Sequence, residues 1–224
     1  MKTSNYGFIF DLDGVIVDTE PIYFEAMNTM AKKRGQRFTM ELKREVMGRG
    51  GILSMRLMKE TLHFTETPEE LLKERTKLCK KLLEKYGVKP VTGIFNVLKL
   101  VNKLGLKKAV ASSSHRKWVE SALTELNIIN EFDAIASGDE VSCGKPEPDV
   151  FLLALKRLKL KKCECIILED TIIGLEAAKR AGIKCIAAPN KYNKGIDFSS
   201  ADVIVKSLKD INEQMIKNLL KLDN

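Results

Sequence analysis

Two aspartates, Asp11 and Asp13, stand two residues apart in the stretch Phe8-Ile-Phe-Asp-Leu-Asp-Gly-Val-Ile-Val-Asp-Thr-Glu20, directly after a short apolar run and directly before a glycine. Carboxylates at i and i+2 just past a strand end can face one cleft, and a glycine at Gly14 lets the backbone turn sharply away. Two like charges that close do not both ionise freely without a cation, so one binds metal or stays protonated. That division of labour suits covalent phosphoryl transfer, in which one carboxylate is the nucleophile and its neighbour the acid and base. Taken alone, Asp-x-Asp is also compatible with a surface turn carrying two solvated aspartates.

The elements that would position such a pair can be read from periodicity. Residues 6–10 are β-branched and aromatic and read as a buried strand. After Val17 the pattern turns helical, with apolar residues at three-to-four spacing over 20–33, 40–46, 52–62 and 68–86. Thr67-Pro68-Glu69-Glu70 is a strong helix start: a hydroxyl cap, a proline in the first turn, then acids at the positive end. From Val91 onward short apolar strands (107–111, 134–136, 165–168, 184–187, 202–205) alternate with helices (93–104, 117–126, 149–158, 173–181 and a last near 208–220). Alternation of this kind implies an α/β fold, a doubly wound parallel sheet core (Rossmann-like). The first strand belongs to that core, so an all-helical domain, 18–88, is inserted between 1–17 and 89–224. The crossings fall at 14–17 and 87–93, where glycines and Pro90 make hinges. Active sites in such folds lie beyond the carboxyl ends of the strands.

The first stretch resembles the first motif of the haloacid dehalogenase-like hydrolases, Asp-x-Asp-Gly-Val/Thr after a first strand. Ala109-Val-Ala-Ser-Ser-Ser114 resembles the second motif, Gly144-Lys-Pro-Glu-Pro-Asp149 the third and Ile166-Ile-Leu-Glu-Asp-Thr171 the fourth, in the family's order. The resemblance spans essentially the whole chain and is nearest to the β-phosphoglucomutase-like branch of small sugar-phosphate phosphatases. It implies that the helical insert is a cap closing over the aspartates.

On that resemblance Asp11 is expected to attack phosphorus, giving an aspartyl-phosphate that water cleaves, while Asp13 protonates the leaving oxygen and then activates the water. A phosphoryl group in flight carries several negative charges and needs cationic partners. Lys145, placed by its Lys-Pro-x-Pro turn, can supply one. Ser112, the first hydroxyl after a strand, is expected to donate to a phosphate oxygen. The run Ser112-Ser113-Ser114 leaves the register open, and any of the three could instead be a turn or helix cap, Ser114 especially. Backbone N–H groups there and at Leu12 are further phosphate donors. Glu169 and Asp170 end another apolar strand. Hard oxygen ligands that leave several waters in place indicate Mg²⁺, bound by Asp11, the Asp13 main-chain carbonyl and Asp170, with Glu169 in the outer shell. Their alternative is a charge pair at a helix N-terminus. His63, His115, Trp118 and Arg49 lie in no motif that selects a role, and Asp18 is expected at the hinge.

Composition limits the alternatives. At 224 residues the chain can bury one substantial core and a small second domain, and 44% hydrophobic with 30% charged residues suits a soluble globular protein. No apolar run approaches the roughly 18 residues of a membrane span, and the N-terminus leads into a strand, so the cytoplasm is the expected compartment. Five cysteines, odd in number and without zinc spacing, read as thiols. The net charge of +8 is spread along helices among glutamates and leucines, which favours a solvated surface over a nucleic-acid stripe. The expected partner is a small phosphorylated metabolite, met by a monomer. The mutases of the resembling branch carry a histidine in the first cap helix, where this chain reads Glu20-Pro-Ile-Tyr23, and an arginine where it has Gly51. A phosphatase is therefore expected over a β-phosphoglucomutase-type mutase. A non-catalytic regulatory relative is disfavoured because both aspartates, the lysine and the acidic pair are present.

Overall fold

Every residue of β1 (Gly7–Phe10) is buried, because the strand is paired on both edges and covered on both faces. The computed structural model describes residues 5–193 and 195–222. In it β1 runs parallel to β2 (Lys107–Ala111) on one side and β4 (Cys165–Glu169) on the other, with Phe8 opposite Lys108 and Ile166. The sheet continues through β3 (Ala134–Ala136), β5 (Lys184–Ala187) and β6 (Val203–Ile204) in the order β3-β2-β1-β4-β5-β6, all pairs parallel. That is the doubly wound arrangement the alternation of elements predicts.

Strand period 2 divides the core. Phe8 and Phe10 face a cluster with Val97 and Val101 of α5 (Ile94–Lys103), Val119 and Leu123 of α6 (Arg116–Glu125), and Ile216 of α9 (Glu213–Leu220). Ile9 and Ile167 face the opposite cluster, with Phe151 and Ala154 of α7 (Asp149–Leu158) and Leu175 and Ala178 of α8 (Ile172–Ala181). Helices thus cover both faces of the sheet.

The insert is helical throughout: α1 (Glu20–Lys33), α2 (Met40–Val46), α3 (Gly51–Leu62) and α4 (Pro68–Tyr86) enclose their own cluster of Met27, Met30, Leu42, Met55, Met58 and Leu71. At the start of α4 the Thr67 hydroxyl accepts from Glu70 N at 3.2 Å while the Glu70 carboxylate accepts from Thr67 N at 2.8 Å, a complete capping box. The two crossings lie side by side, Asp18 N donating to Lys89 O at 2.8 Å and Val91 N to Ile16 O at 2.9 Å. The last predicted helix divides into a 3₁₀ turn, Leu208–Asp210, and α9. Asn212 interrupts it, in extended backbone, and its side chain caps α9 by accepting from Met215 N at 3.0 Å. No helix among the described residues is long and apolar enough to cross a membrane.

Candidate active site

Asp11 follows β1 at the sheet's centre, its N–H donating to Leu168 O at 3.0 Å, so its carboxylate emerges between β2 and β4. The chain then doubles back: Ile16 N and Val17 N both donate to Leu12 O, and Gly14 N to Val17 O. Gly14 has φ +88°, and a Cβ there would overlap the Asp170 carboxylate. The glycine of the first motif is therefore required twice, by backbone conformation and by the close approach of β1's loop to Asp170.

Lys145 crosses from the loop before α7 and is almost completely buried. Its Nζ lies 2.5 Å from Asp11 Oδ1 and 3.5 Å from Glu169 Oε1, 4.6 Å over the Phe151 ring, and donates to Ala111 O at 3.4 Å. Burial alone would lower the lysine's pKa, but Asp11 and Glu169 outweigh it and hold the ammonium charged. The reverse holds for the acids. Burial, then the charge of Glu169, pushes Asp11 up to about 8 against the pull of Lys145. Asp170 is raised as well, by burial first and then by Glu169 and Asp11.

Glu169 is pinned by its neighbours: it accepts the Thr171 hydroxyl at 2.7 Å on Oε1 and the Asp170 N–H at 3.0 Å on Oε2. Thr171 at the same time caps α8, accepting from Gly174 N at 3.1 Å. A side chain at Gly174 would overlap the Glu169 carboxylate, so that glycine makes its room. Asp170 accepts from Asn190 Nδ2 at 2.8 Å, and its main-chain oxygen accepts from Asn193 Nδ2 at 2.6 Å. Its Oδ1 is buried with no partner.

One oxygen from each of Asp11, Glu169 and Asp170 lies within 4.8 Å of the others, all three residues buried. One ammonium cannot balance three buried carboxylates, and the orphaned Asp170 Oδ1 is an acceptor in want of a cation. The residues fit a small hard divalent ion, for which all-oxygen donors are suited.

Asp13 points elsewhere. Its Oδ2 accepts from the Ser114 hydroxyl at 2.8 Å and lies 3.5 Å from Ser112 Oγ, and Trp118 Nε1 donates to its Oδ1 at 3.4 Å. Its side chain therefore stands outside the three-carboxylate cluster. Ser112 is buried beside it and accepts from Ser114 N at 3.0 Å, whereas Ser113 Oγ is buried and unpartnered. Ser114 is not a helix cap. α6 begins at Arg116 with His115 at the N-cap, and the Arg116 N–H is satisfied by Asp139 Oδ1 at 3.0 Å. The Ser114 hydroxyl serves Asp13 instead.

The cap also reaches this region. Tyr23 of α1 is hydrogen-bonded to Ser114, and burial, then the Asp13 carboxylate, raises its hydroxyl. Gly48, between α2 and α3, packs so closely on Thr171 that a Cβ would stand 2.9 Å from its Oγ1. Lys43 of α2 is buried with Glu20, Nζ 2.6 Å from Oε2, and lies 3.4 Å over the ring of core residue Tyr192. Sequence reading assigned no role to Tyr23, Trp118, Glu20 or Lys43, because no motif selects one for them. It could have found Asn190 and Asn193, which lie beyond the carboxyl end of β5, at the same sheet edge as the four motifs.

The profile of the haloacid dehalogenase-like hydrolase family matches residues 8–188. The phosphorylated carbohydrates phosphatase of Thermotoga maritima is 35% identical over 95% of this chain and 97% of its own. CbbY from Rhodobacter sphaeroides in complex with xylulose 1,5-bisphosphate superposes with a TM-score of 0.79 at 26% identity, over 92% of this chain and 96% of that one. β-Phosphoglucomutase from Clostridium difficile superposes with a TM-score of 0.83 at 25% identity, over 96% of this chain and 97% of that one.

Proposed function

The chain belongs to the haloacid dehalogenase-like hydrolases, and from that premise we propose that it is a Mg²⁺-dependent phosphatase of a small phosphorylated carbohydrate or similar metabolite, working through an aspartyl-phosphate on Asp11. The observation that carries this reading is the buried set of Asp11, Glu169 and Asp170 around the Lys145 ammonium, with Asp13 held apart in a hydroxyl and indole environment. Its two carboxylates have different surroundings and so different tasks.

In the first half-reaction an Asp11 oxygen forms a bond to phosphorus as the bond to the ester oxygen breaks. Asp13, as the carboxylic acid, gives its proton to the departing alkoxide. In the second, the Asp13 carboxylate takes a proton from water, whose oxygen attacks phosphorus and releases Asp11 and inorganic phosphate. Lys145 offsets charge on the phosphoryl oxygens, and the hydroxyls of Ser112 and Ser113 donate to them. Mg²⁺, held by Asp11, Asp170 and the Asp13 main-chain carbonyl with Glu169 behind them, would neutralise the phosphoryl group and hold it in line. Residues 18–88 act as the cap that closes over the seated substrate and limits the access of bulk water.

The relatives' substrates support the carbohydrate class: one is named for phosphorylated carbohydrates and another is solved with a sugar bisphosphate. A mutase is the second reading, kept because a β-phosphoglucomutase superposes on the chain. A panel of sugar and polyol phosphates incubated with Mg²⁺ separates them. We expect inorganic phosphate from one compound class and none with Asp11→Asn. Isomerised sugar phosphate without phosphate release would overturn the phosphatase in favour of the mutase, and no turnover of any ester would overturn both.

A further inference from the structure

Arg75, on α4, lacks among the described residues the carboxylate partner that Arg34, Lys33 and Lys43 each have. Arg34 holds Glu66 and Glu74, Lys33 holds Glu74, and Lys43 holds Glu20. The Arg75 Nε is buried without an acceptor. A buried donor left unmatched is destabilising, which is a reason to look for what it binds.

Its position gives the answer. The guanidinium lies 5.5 Å over the Tyr23 ring, and a Cβ on Gly51 would come within 3.0 Å of its Nη2. It is thus held between α1, α4 and the first turn of α3, whose N-cap Gly50 offers no side-chain acceptor. This is the cleft side of the cap. Tyr23 hydrogen-bonds Ser114, Ser114 donates to Asp13, and the Asp13 charge acts on both Tyr23 and Cys79, as does that of Arg75. The aromatic face beneath the guanidinium orients the fork, and the positive end of α3 adds to its attraction for an anion.

We propose that Arg75 is the specificity-determining residue of the cap and recognises a second anionic group, a phosphate or a carboxylate, on a substrate whose phosphomonoester is seated at Asp11. This rests on the phosphatase reading and deepens it. A planar guanidinium fork grips such a group through two parallel hydrogen bonds, which a hydroxyl cannot match. Gly51 flanks the device: a Cβ there would meet Leu72 Cδ1 at 2.8 Å and Nη2 at 3.0 Å, so the ends of both side chains would have to shift.

The test is calorimetric binding in the Asp11→Asn background, which holds esters without turnover. Two pairs of probes are compared: fructose 1,6-bisphosphate with fructose 6-phosphate, and 3-phosphoglycerate with glycerol 3-phosphate. In at least one pair the doubly anionic member binds about 10- to 100-fold more tightly, the range expected of a charge-assisted pair. Which pair responds tells phosphate from carboxylate. Arg75→Met brings the ratio to within about threefold, Arg75→Lys leaves an intermediate ratio because it keeps charge without the fork, and Gly51→Ala lowers it by crowding Nη2. Should the methionine variant fail to fold, the lysine and alanine variants carry the test. Equal binding within both pairs, or a preference that survives every substitution, would overturn the proposal. Phosphate release by the wild-type protein is scored separately, so losing the phosphatase reading and losing the Arg75 reading give different results.

Discussion

The ammonium of Lys145 is one cation among three buried carboxylates, 2.5 Å from Asp11 and 3.5 Å from Glu169. On the proposed mechanism such a lysine does two things: it keeps part of the negative set ionised before substrate arrives, and it meets the phosphoryl oxygens when substrate does. Replacing it by methionine keeps the apolar stem but removes the charge. We expect Lys145→Met to lower kcat/KM by about 10²- to 10³-fold, read in steady-state phosphate release. A rate within about threefold of wild type would mean that the charge is not used. At this scale the grouping of side chains was readable in advance wherever residues stand in a short motif, as Asp11, Lys145, Glu169 and Asp170 do. It was not readable where a side chain arrives from a distant element. Trp118 and Ser114 reach Asp13 only because α6 and its preceding loop fold back over β1, and the triple serine gave no sign of which hydroxyl would turn which way.

Between elements the informative contact is the Lys43–Glu20 pair. Both side chains are buried, and Lys43 also stacks over Tyr192 of the core. Burial lowers the lysine's pKa and raises the glutamate's, so each outruns the attraction of its partner. A buried pair of this kind is costly to break and adds little when whole. Lys43→Ala should therefore destabilise the protein by about 3–5 kcal/mol, while Lys43→Met with Glu20→Gln should cost far less. Denaturant melts of the three proteins measure this, and equal losses in the single and double variants would contradict it. The alternation of strands and helices, and the helical insert, were legible because period 2 and period 3.6 patterns are local. The docking of α2 onto the core was not, because it depends on one lysine among many, and nothing in its sequence neighbours marks it as the buried one. The end of the chain misled for a related reason: Asn212 falls within an apolar periodic stretch, yet its side chain serves as a cap and divides the helix.

For the whole molecule the acidic cluster sets a pH dependence. Asp11 is held up to about 8, against 3.8 for an unperturbed aspartate, by burial first and then by Glu169. A carboxyl whose folded-state pKa is raised binds more protons folded than unfolded between those values. The metal-free protein therefore loses stability as pH rises through that window. On the proposed reading Mg²⁺ would bind the ionised form, so millimolar Mg²⁺ should stabilise the protein most at the upper end, by a few degrees in Tm. Asp11→Asn should flatten the metal-free slope. Thermal melts with chelator and with Mg²⁺ across the window test this, and a metal-free protein that gains stability with rising pH would contradict it. The measurement that bears most directly on the whole account is the chemical identity of the phosphorylated residue. Asp13→Asn is mixed with ³²P-labelled p-nitrophenyl phosphate, whose leaving group needs no proton, quenched in acid and mapped by peptide. Label on the peptide bearing Asp11, persisting because no base activates water, is the predicted result; label on another residue, or phosphate released with no labelled peptide at any time, would contradict it.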